Sequence, residues 1–334
     1  MMFTIAVDVM GGDLGPRVAF KACRKWLATR PKNLRLLLVM TADQQAEAQS
    51  QLADYLEQVR FVVADVAIAM TDSPSAALRH KQNSSMAMAL QLHADGEADA
   101  VLSVGNTGAL MAMSRQLLGM YDGYQRPALA ACLPTRQSPV LMLDLGANLE
   151  SGAEQLEQFA ALGLAWQALQ GRPVQRMALL NIGQEACKGT NTIRDAAERF
   201  RQRWPEQFVG FCEGTDIYTG ELDVVVCDGF VGNVALKTSE GLAAWLSEQI
   251  QREFQRHFWG RSFYPLLRPI IARLLRRFNA SRYAGALLLG VRGVVVKSHG
   301  NSDWRSLHHA LKFVYQQLER GGQAGYAQAL TAGQ

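Results

Sequence analysis

The sequence lacks the features that mark several large protein classes. Its five cysteines, Cys23, Cys132, Cys187, Cys212 and Cys227, are odd in number and none forms a CxxC pair. That argues against a disulfide framework or a zinc site and fits a reducing cytoplasm. There is no GxxxxGK[ST], no GxGxxG after the first apolar run, no HExxH and no GxSxG. A Walker ATPase, an ordinary dinucleotide-binding dehydrogenase, a zinc protease and an α/β-hydrolase are therefore disfavoured. No uncharged apolar stretch is long enough to span a bilayer. The opening MMFTIAVDVMGGD has no basic segment, and Asp8 interrupts its apolar run, so it reads as a first strand and not as a signal peptide. The net charge is only +4, too little to imply nucleic acid without a matching motif, and none is present.

What is there is an α/β pattern. The 334 residues are 49% hydrophobic and 19% charged, enough apolar material for a large core. Continuous apolar runs at Phe3–Val9, Leu34–Met40, Ala100–Val104, Val140–Leu145, Met177–Ile182, Phe208–Cys212 and Asp223–Cys227 read as strands covered on both faces. Between them, Pro16–Thr29, Gln44–Leu56, Ser84–His93, Gly152–Leu169 and Thr192–Arg203 read as helices. This alternation implies three α/β/α layers around a mainly parallel sheet, in a single catalytic domain over residues 1–320. From Val231 to about Asn279 no strand signal appears, and a projecting helical hairpin is expected over 240–282. The Gly- and Ala-rich end, 321–334, is expected to be flexible.

Turns rich in Gly, Asn and Asp follow the apolar runs at Asp8–Asp13, Gly105–Gly108, Asp144–Asn148, Asn181–Gly183 and Asp228–Asn233. Ligands of open α/β sheets bind outside strand carboxyl ends, where glycine lets main-chain amides approach an anion. Phosphate is the natural guest. Turn formation alone is the competing explanation for each asparagine.

These blocks resemble the PlsX family of phosphate acyltransferases. The match rests on AVDVMGGDLGP at 6–16, SVGNTGALMA at 103–112, RPALAACLPT at 126–135, LMLDLGAN at 141–148, LLNIGQEACKGT at 179–190, DVVVCDGFVGNVALKTSEG at 223–241 and GALLLGVRGVVVKSHGNSD at 285–303. Ala186-Cys187 stand where the family is more acidic and glycine-rich, and Asn301 where a small serine is more usual. The resemblance implies a fold like isocitrate and isopropylmalate dehydrogenases and phosphotransacetylase, a homodimer, and transfer of a fatty acyl group from acyl carrier protein to inorganic phosphate. A phosphotransacetylase-like enzyme using acyl-CoA, an NAD-dependent β-decarboxylating dehydrogenase by fold alone, for whose metal and cofactor no set of residues argues, and a non-catalytic scaffold for carrier protein or membrane are the alternatives.

In such a reaction phosphate attacks the thioester, and the protein holds it and stabilises the oxyanion. Lys188, Asn233 and His299 are the expected catalytic residues. Gly105, Asn106, Thr107, Gly108, Asn148, Asn181, Gly183, Lys237 and Asn301 are the expected phosphate and substrate contacts. Asp8, Asp144 and Asp228 suit Mg²⁺ or, equally, turn bracing. No metal and no cofactor is required by this chemistry. Cys227 as an acyl-accepting nucleophile is the weaker reading, since buried cysteines usually only pack.

From Arg252 to Arg282 eight arginines face a single acid, Glu253. On a helix over Phe263–Phe278, Arg268, Arg273, Arg276 and Arg277 fall opposite an apolar face, and Pro269 interrupts it. A solvated face of a packed hairpin, docking of acidic carrier protein, and peripheral contact with anionic membrane compete. The last two suit delivery of acyl phosphate to a membrane glycerol-phosphate acyltransferase.

Overall fold

The computed structural model describes residues 2–31, 33–256 and 285–332. Eleven strands form one sheet in the order β3-β2-β1-β4-β11-β10-β5-β6-β9-β7-β8. They are β1 (Phe3–Asp8), β2 (Leu34–Thr41), β3 (Val59–Ala64), β4 (Ala100–Ser103), β5 (Ala128–Leu133), β6 (Val140–Leu143), β7 (Met177–Leu180), β8 (Phe208–Cys212), β9 (Val224–Val226), β10 (Ala286–Leu289) and β11 (Val295–Lys297). The helices are α1 (Pro16–Leu27), α2 (Ala42–Gln51), α3 (Pro74–His80), α4 (Ser85–Ala94), α5 (Thr107–Leu117), α6 (Ala153–Leu169), α7 (Asn191–Arg203), α8 (Gly229–Arg256), α9 (Trp304–Glu319) and α10 (Gly322–Ala332).

The sheet is mainly parallel, as expected, with a reversal at its centre. Strand β10 is antiparallel to both β11 and β5, and β5 is antiparallel to β6. Strands β3, β2, β1, β4 and β11 therefore point one way, while β6, β9, β7 and β8 point the other. The expected turns consequently divide between opposite edges of the sheet.

Alternation along each strand feeds two apolar layers. Ile5 and Val7 join the layer holding Phe20, Trp26, Phe159, Phe200 and Leu311; Ala6 joins the layer with Met86, Leu90 and Leu110 on the other face. Ala235 and Leu236 set α8 against this second layer. Each fully buried large side chain contributes about 1.5–3 kcal/mol relative to exposure.

Four strands had no separate signal. β5 is alanine-rich, and alanine has little strand preference. β3 is an edge strand, and β10 and β11 are only four and three residues long. The helix placed in the projecting segment begins earlier than expected, at Gly229, and runs to Arg256, roughly 40 Å. The rest of the proposed hairpin, with Arg268, Arg273, Arg276 and Arg277, lies outside the described residues. Within the tail expected to be flexible, residues 322–332 form α10, with Tyr326 and Leu330 buried and the Tyr326 hydroxyl donating to the Leu162 carbonyl at 3.2 Å. Burial of those two side chains offsets the low packing value of the Gly/Ala sequence around them.

Candidate active site

The turns after β1 and β4 meet backbone to backbone. A Cβ on Gly11 would lie 2.1 Å from Cα of Gly105, so only glycine allows this approach. The loop after β11 closes the same edge: Asp13 N–H donates to the Gly300 carbonyl at 2.8 Å. Register puts Asp8, Ser103 and Lys297 side by side at the ends of β1, β4 and β11. Asp8 accepts from Ser85 and Ser103 hydroxyls, each at 2.7 Å and one to each carboxylate oxygen. Burial raises the Asp8 carboxyl, opposed by those hydroxyls.

Lys297 is the residue the sequence reading missed. Only 6% exposed, it donates to the Val104 carbonyl at 3.3 Å and to the Ser298 carbonyl. Burial lowers its ammonium to about 8; Asp8 and Asp13 act against this, and the charge of Lys237 acts with it. The signal was available, because a lysine ending the apolar run Val-Val-Val has no ordinary packing role.

Asn106 is not a free anion donor. Its amide nitrogen faces the carbonyls of Met70 at 3.0 Å and Asp72 at 2.9 Å, while Oδ1 caps α5 through Ala109 N–H at 3.0 Å. Its cap leaves the first amides of the helix, those of Thr107 and Gly108, without an acceptor among the described residues. Amides at this end of a helix carry the positive end of its dipole. Gly105 is buried, its amide donating to the Ser103 hydroxyl at 3.1 Å.

Asn148 is likewise committed. Both its amide hydrogens are taken, by the Pro127 carbonyl and by Asp144, each at 2.8 Å. Asp144 also accepts from the amides of Leu129, Ala147 and Asn148. These two residues brace the turn, and an asparagine with no spare N–H cannot bind phosphate through its amide nitrogen. The Asp8 and Asp144 carboxylates are therefore spent on structure, and among the described residues no group of three His, Cys, Asp or Glu side chains suits a metal.

Helix α8 joins the two edges of the sheet. At its start Asn233 packs against Gly146, its side chain 3.4 Å from where a Cβ there would sit. One turn later Lys237 reaches the loop after β11, with Nζ 3.3 Å from His299 Nδ1. Glu240 completes the contact: Oε2 lies 2.9 Å from Lys237 Nζ and Oε1 lies 3.0 Å from His299 Nε2. Burial alone would raise the Glu240 carboxyl; His299 and Lys237 outweigh it and bring it to about 2. Asn301 is exposed on the same loop.

Asn181, Gly183 and Lys188 form a separate cluster after β7. Asn181 donates to the Lys188 carbonyl at 3.2 Å, and the Lys188 stem covers Gly183. Among the described residues no hydrogen bond or ion pair joins this cluster to Asn233, Lys237 or His299. Cys227 is buried with its thiol against the Asp144 carbonyl. Burial first, then the charges of Asp144 and Asp228, push that thiol well up, so it is no thiolate nucleophile.

The fold is shared with a solved phosphotransacetylase, a phosphotransacylase and a putative dehydrogenase. A EutD phosphotransacetylase from Staphylococcus aureus superposes with a TM-score of 0.62 over 98% of this chain and 94% of that one, at 13% identity. A branched-chain phosphotransacylase from Enterococcus faecalis gives 0.56 over 95% and 100%, at 14% identity. A putative 4-hydroxythreonine-4-phosphate dehydrogenase from Salmonella typhimurium gives 0.54 over 95% and 99%. Sequence relatives are much nearer. A protein of Marinobacter nauticus named phosphate acyltransferase is 44% identical over 95% of this chain and 92% of its own length. One of the same name from Delftia acidovorans is 44% identical over 94% and 90%. A family model described as fatty acid synthesis protein matches residues 3–323, and the chain belongs to that family.

Proposed function

We propose that the chain transfers a fatty acyl group from the thioester of acyl carrier protein to inorganic phosphate. The observation that carries this reading is the likeness, over nine-tenths or more of both chains, to proteins named phosphate acyltransferase. The site chemistry supports it. A phosphate dianion is already a nucleophile at neutral pH, so it needs cations and donors more than a base. The α5 amides of Thr107 and Gly108 and the ammonium groups of Lys237 and Lys297 supply them at one edge of the sheet.

A phosphate oxygen attacks the thioester carbonyl, and the resulting oxyanion collapses as the carbon–sulfur bond breaks. Acyl phosphate leaves, and the carrier-protein thiolate takes a proton from solvent. In this reading Asn233 donates to the reacting oxygens, and Lys188 meets the acyl donor from the neighbouring cluster. A homodimer is supported by the exposed apolar side chains Leu242, Trp245 and Leu246 on α8. No described helix is long and apolar enough to cross a membrane. Work in the cytoplasm with peripheral contact to anionic membrane, through the arginine segment, belongs to this proposal and not to the described residues.

The test gives purified protein long-chain acyl–acyl carrier protein and phosphate, with acyl-CoA in parallel. Acyl phosphate from the carrier-protein donor is the expected result. Activity with acyl-CoA alone would move the chain to the phosphotransacetylase-like alternative, and none with either donor would leave the scaffold reading.

A further inference from the structure

The contact between α8 and the loop after β11 is a closed ring of three side chains. Lys237 Nζ faces Glu240 Oε2 at 2.9 Å and His299 Nδ1 at 3.3 Å, and His299 Nε2 faces Glu240 Oε1 at 3.0 Å. An ammonium only donates, so Nδ1 must accept and the ring hydrogen must sit on Nε2, toward the carboxylate. Both nitrogens of His299 therefore face ring partners, Nδ1 toward Lys237 and Nε2 across a 3.0 Å contact with Glu240. Lys237 has three N–H groups, two of them directed within the ring, and one remains.

That remaining donor lies near other anion-attracting groups. Lys237 and Lys297 are close enough for their charges to interact, and Lys297 is tied to Val104, just before the turn that opens α5. A solvated lysine on its own loses rotamer freedom on being fixed. Glu240 and His299 have already fixed it from two sides, so an incoming anion meets a preset cation.

We propose that Glu240 and His299 are positioning residues that hold the Lys237 ammonium as the phosphate contact. Glu240 sits on α8 beyond Asn233, so it also fixes the helix that spans both edges of the sheet to the loop after β11. This rests on the acyl-to-phosphate reading above and assigns a residue, Glu240, that the sequence reading left without a role.

The test is phosphate-dependent turnover of the full chain carrying Glu240→Ala, Glu240→Gln, His299→Ala, Lys237→Ala and the double change Lys237→Ala/Glu240→Ala. Glu240→Ala and His299→Ala should each raise the KM for phosphate about tenfold while changing kcat less than about threefold. Glu240→Gln keeps an acceptor for Lys237 but turns an amide toward His299, and should fall between. In the Lys237→Ala background, Glu240→Ala should change KM by less than about twofold, because the group it positions is gone. Circular dichroism checks folding, and His299→Ala tests the same link if Glu240→Ala misfolds. Additive effects in the double variant, or an unchanged phosphate KM in Glu240→Ala and His299→Ala, would overturn the proposal while leaving the acyltransfer reading intact. A wild-type chain with no turnover and no phosphate binding by calorimetry would remove both.

Discussion

Lys297 Nζ donates to the carbonyl of Val104 at 3.3 Å, across 193 residues of sequence. The bond ties the end of β11 to the turn between β4 and α5, so one buried cation orders two of the loops that line the anion-attracting edge. Burying a charge is costly unless its donors are satisfied, and here two main-chain carbonyls do so.

Because Lys297 loses its proton near pH 8, phosphate should bind less well above that pH. The expected profile of kcat/KM for phosphate has an alkaline limb near 8. In Lys297→Arg, whose guanidinium stays charged, the limb should move upward. A wild-type profile flat to pH 9.5, or an unmoved limb in the variant, would contradict this role.

Asn106 and Asn233 look alike in sequence, each following a glycine in a Gly/Asn turn, and the structure separates them. Asn106→Ala loses the α5 cap and the clamp on residues 69–72, and should cost about 1–3 kcal/mol of stability. Asn233 is exposed at the start of α8, so Asn233→Ala should leave the melting temperature within a few degrees and lower turnover. Thermal melts run beside the activity assay read both. Equal melting temperatures for the two variants would remove the distinction.

Much of the architecture was legible because strands buried on both faces are continuous apolar runs, as at Leu34–Met40 and Val140–Leu145. The reversal at β10 and β5 was not, since direction within a sheet is set by pairing partners far apart in sequence, such as Leu287 with Ala130. The same reversal sends β6, β9 and β7, and the turns that follow them, in the direction opposite to β1 and β4. Of the expected contacts, Thr107, Gly108 and Lys237 reach one edge, while Asn106 and Asn148 turned inward. Nothing in an isolated Asn-containing turn tells whether its amide faces the chain or the solvent. Glu240 was hidden for a similar reason: its partner His299 lies 59 residues on, beyond β11.

Gly232 should tolerate no side chain. A Cβ there would lie 1.9 Å from the Asp144 carbonyl oxygen and 2.8 Å from Cys227 Sγ, and backbone at that distance cannot give way cheaply. Gly232→Ala should displace α8 from β6 and cost about 1–3 kcal/mol or more. Chemical denaturation measures it; a stability unchanged from wild type would mean that α8 enters differently.

His93 offers a stability switch that has nothing to do with the site. Its Nδ1 lies 2.7 Å from the Ala98 carbonyl and its Nε2 accepts from Val294 N–H at 3.1 Å, an arrangement only the neutral ring can make. Burial holds its pKa below the usual histidine value, opposed by Ala98 and the charge of Asp99. The unfolded chain therefore takes up this proton first as pH falls. Its contribution is full above about pH 6.5 and is lost as pH drops from there to the folded value. In His93→Gln that loss should be absent, so the stability gap between wild type and variant should narrow from about pH 7 to 5. A constant gap over that range, measured by urea unfolding, would show that His93 titrates alike in both states.

Lys188 tests the second cluster. Its ammonium is 3.9 Å from Glu185, and its side chain is about half exposed, so Lys188→Ala leaves no buried partner stranded. Exposed pairs of this kind contribute about 0–1 kcal/mol, and stability should hardly change. If the cluster meets the acyl donor, turnover should fall about tenfold or more, with the KM for carrier protein rising and the KM for phosphate steady. A rise in the phosphate KM instead would bring Lys188 to the same anion as Lys237, across the two edges that α8 connects. Wild-type kinetics would leave the Asn181–Lys188 turn as a structural loop, its asparagine amide donating to the Lys188 carbonyl.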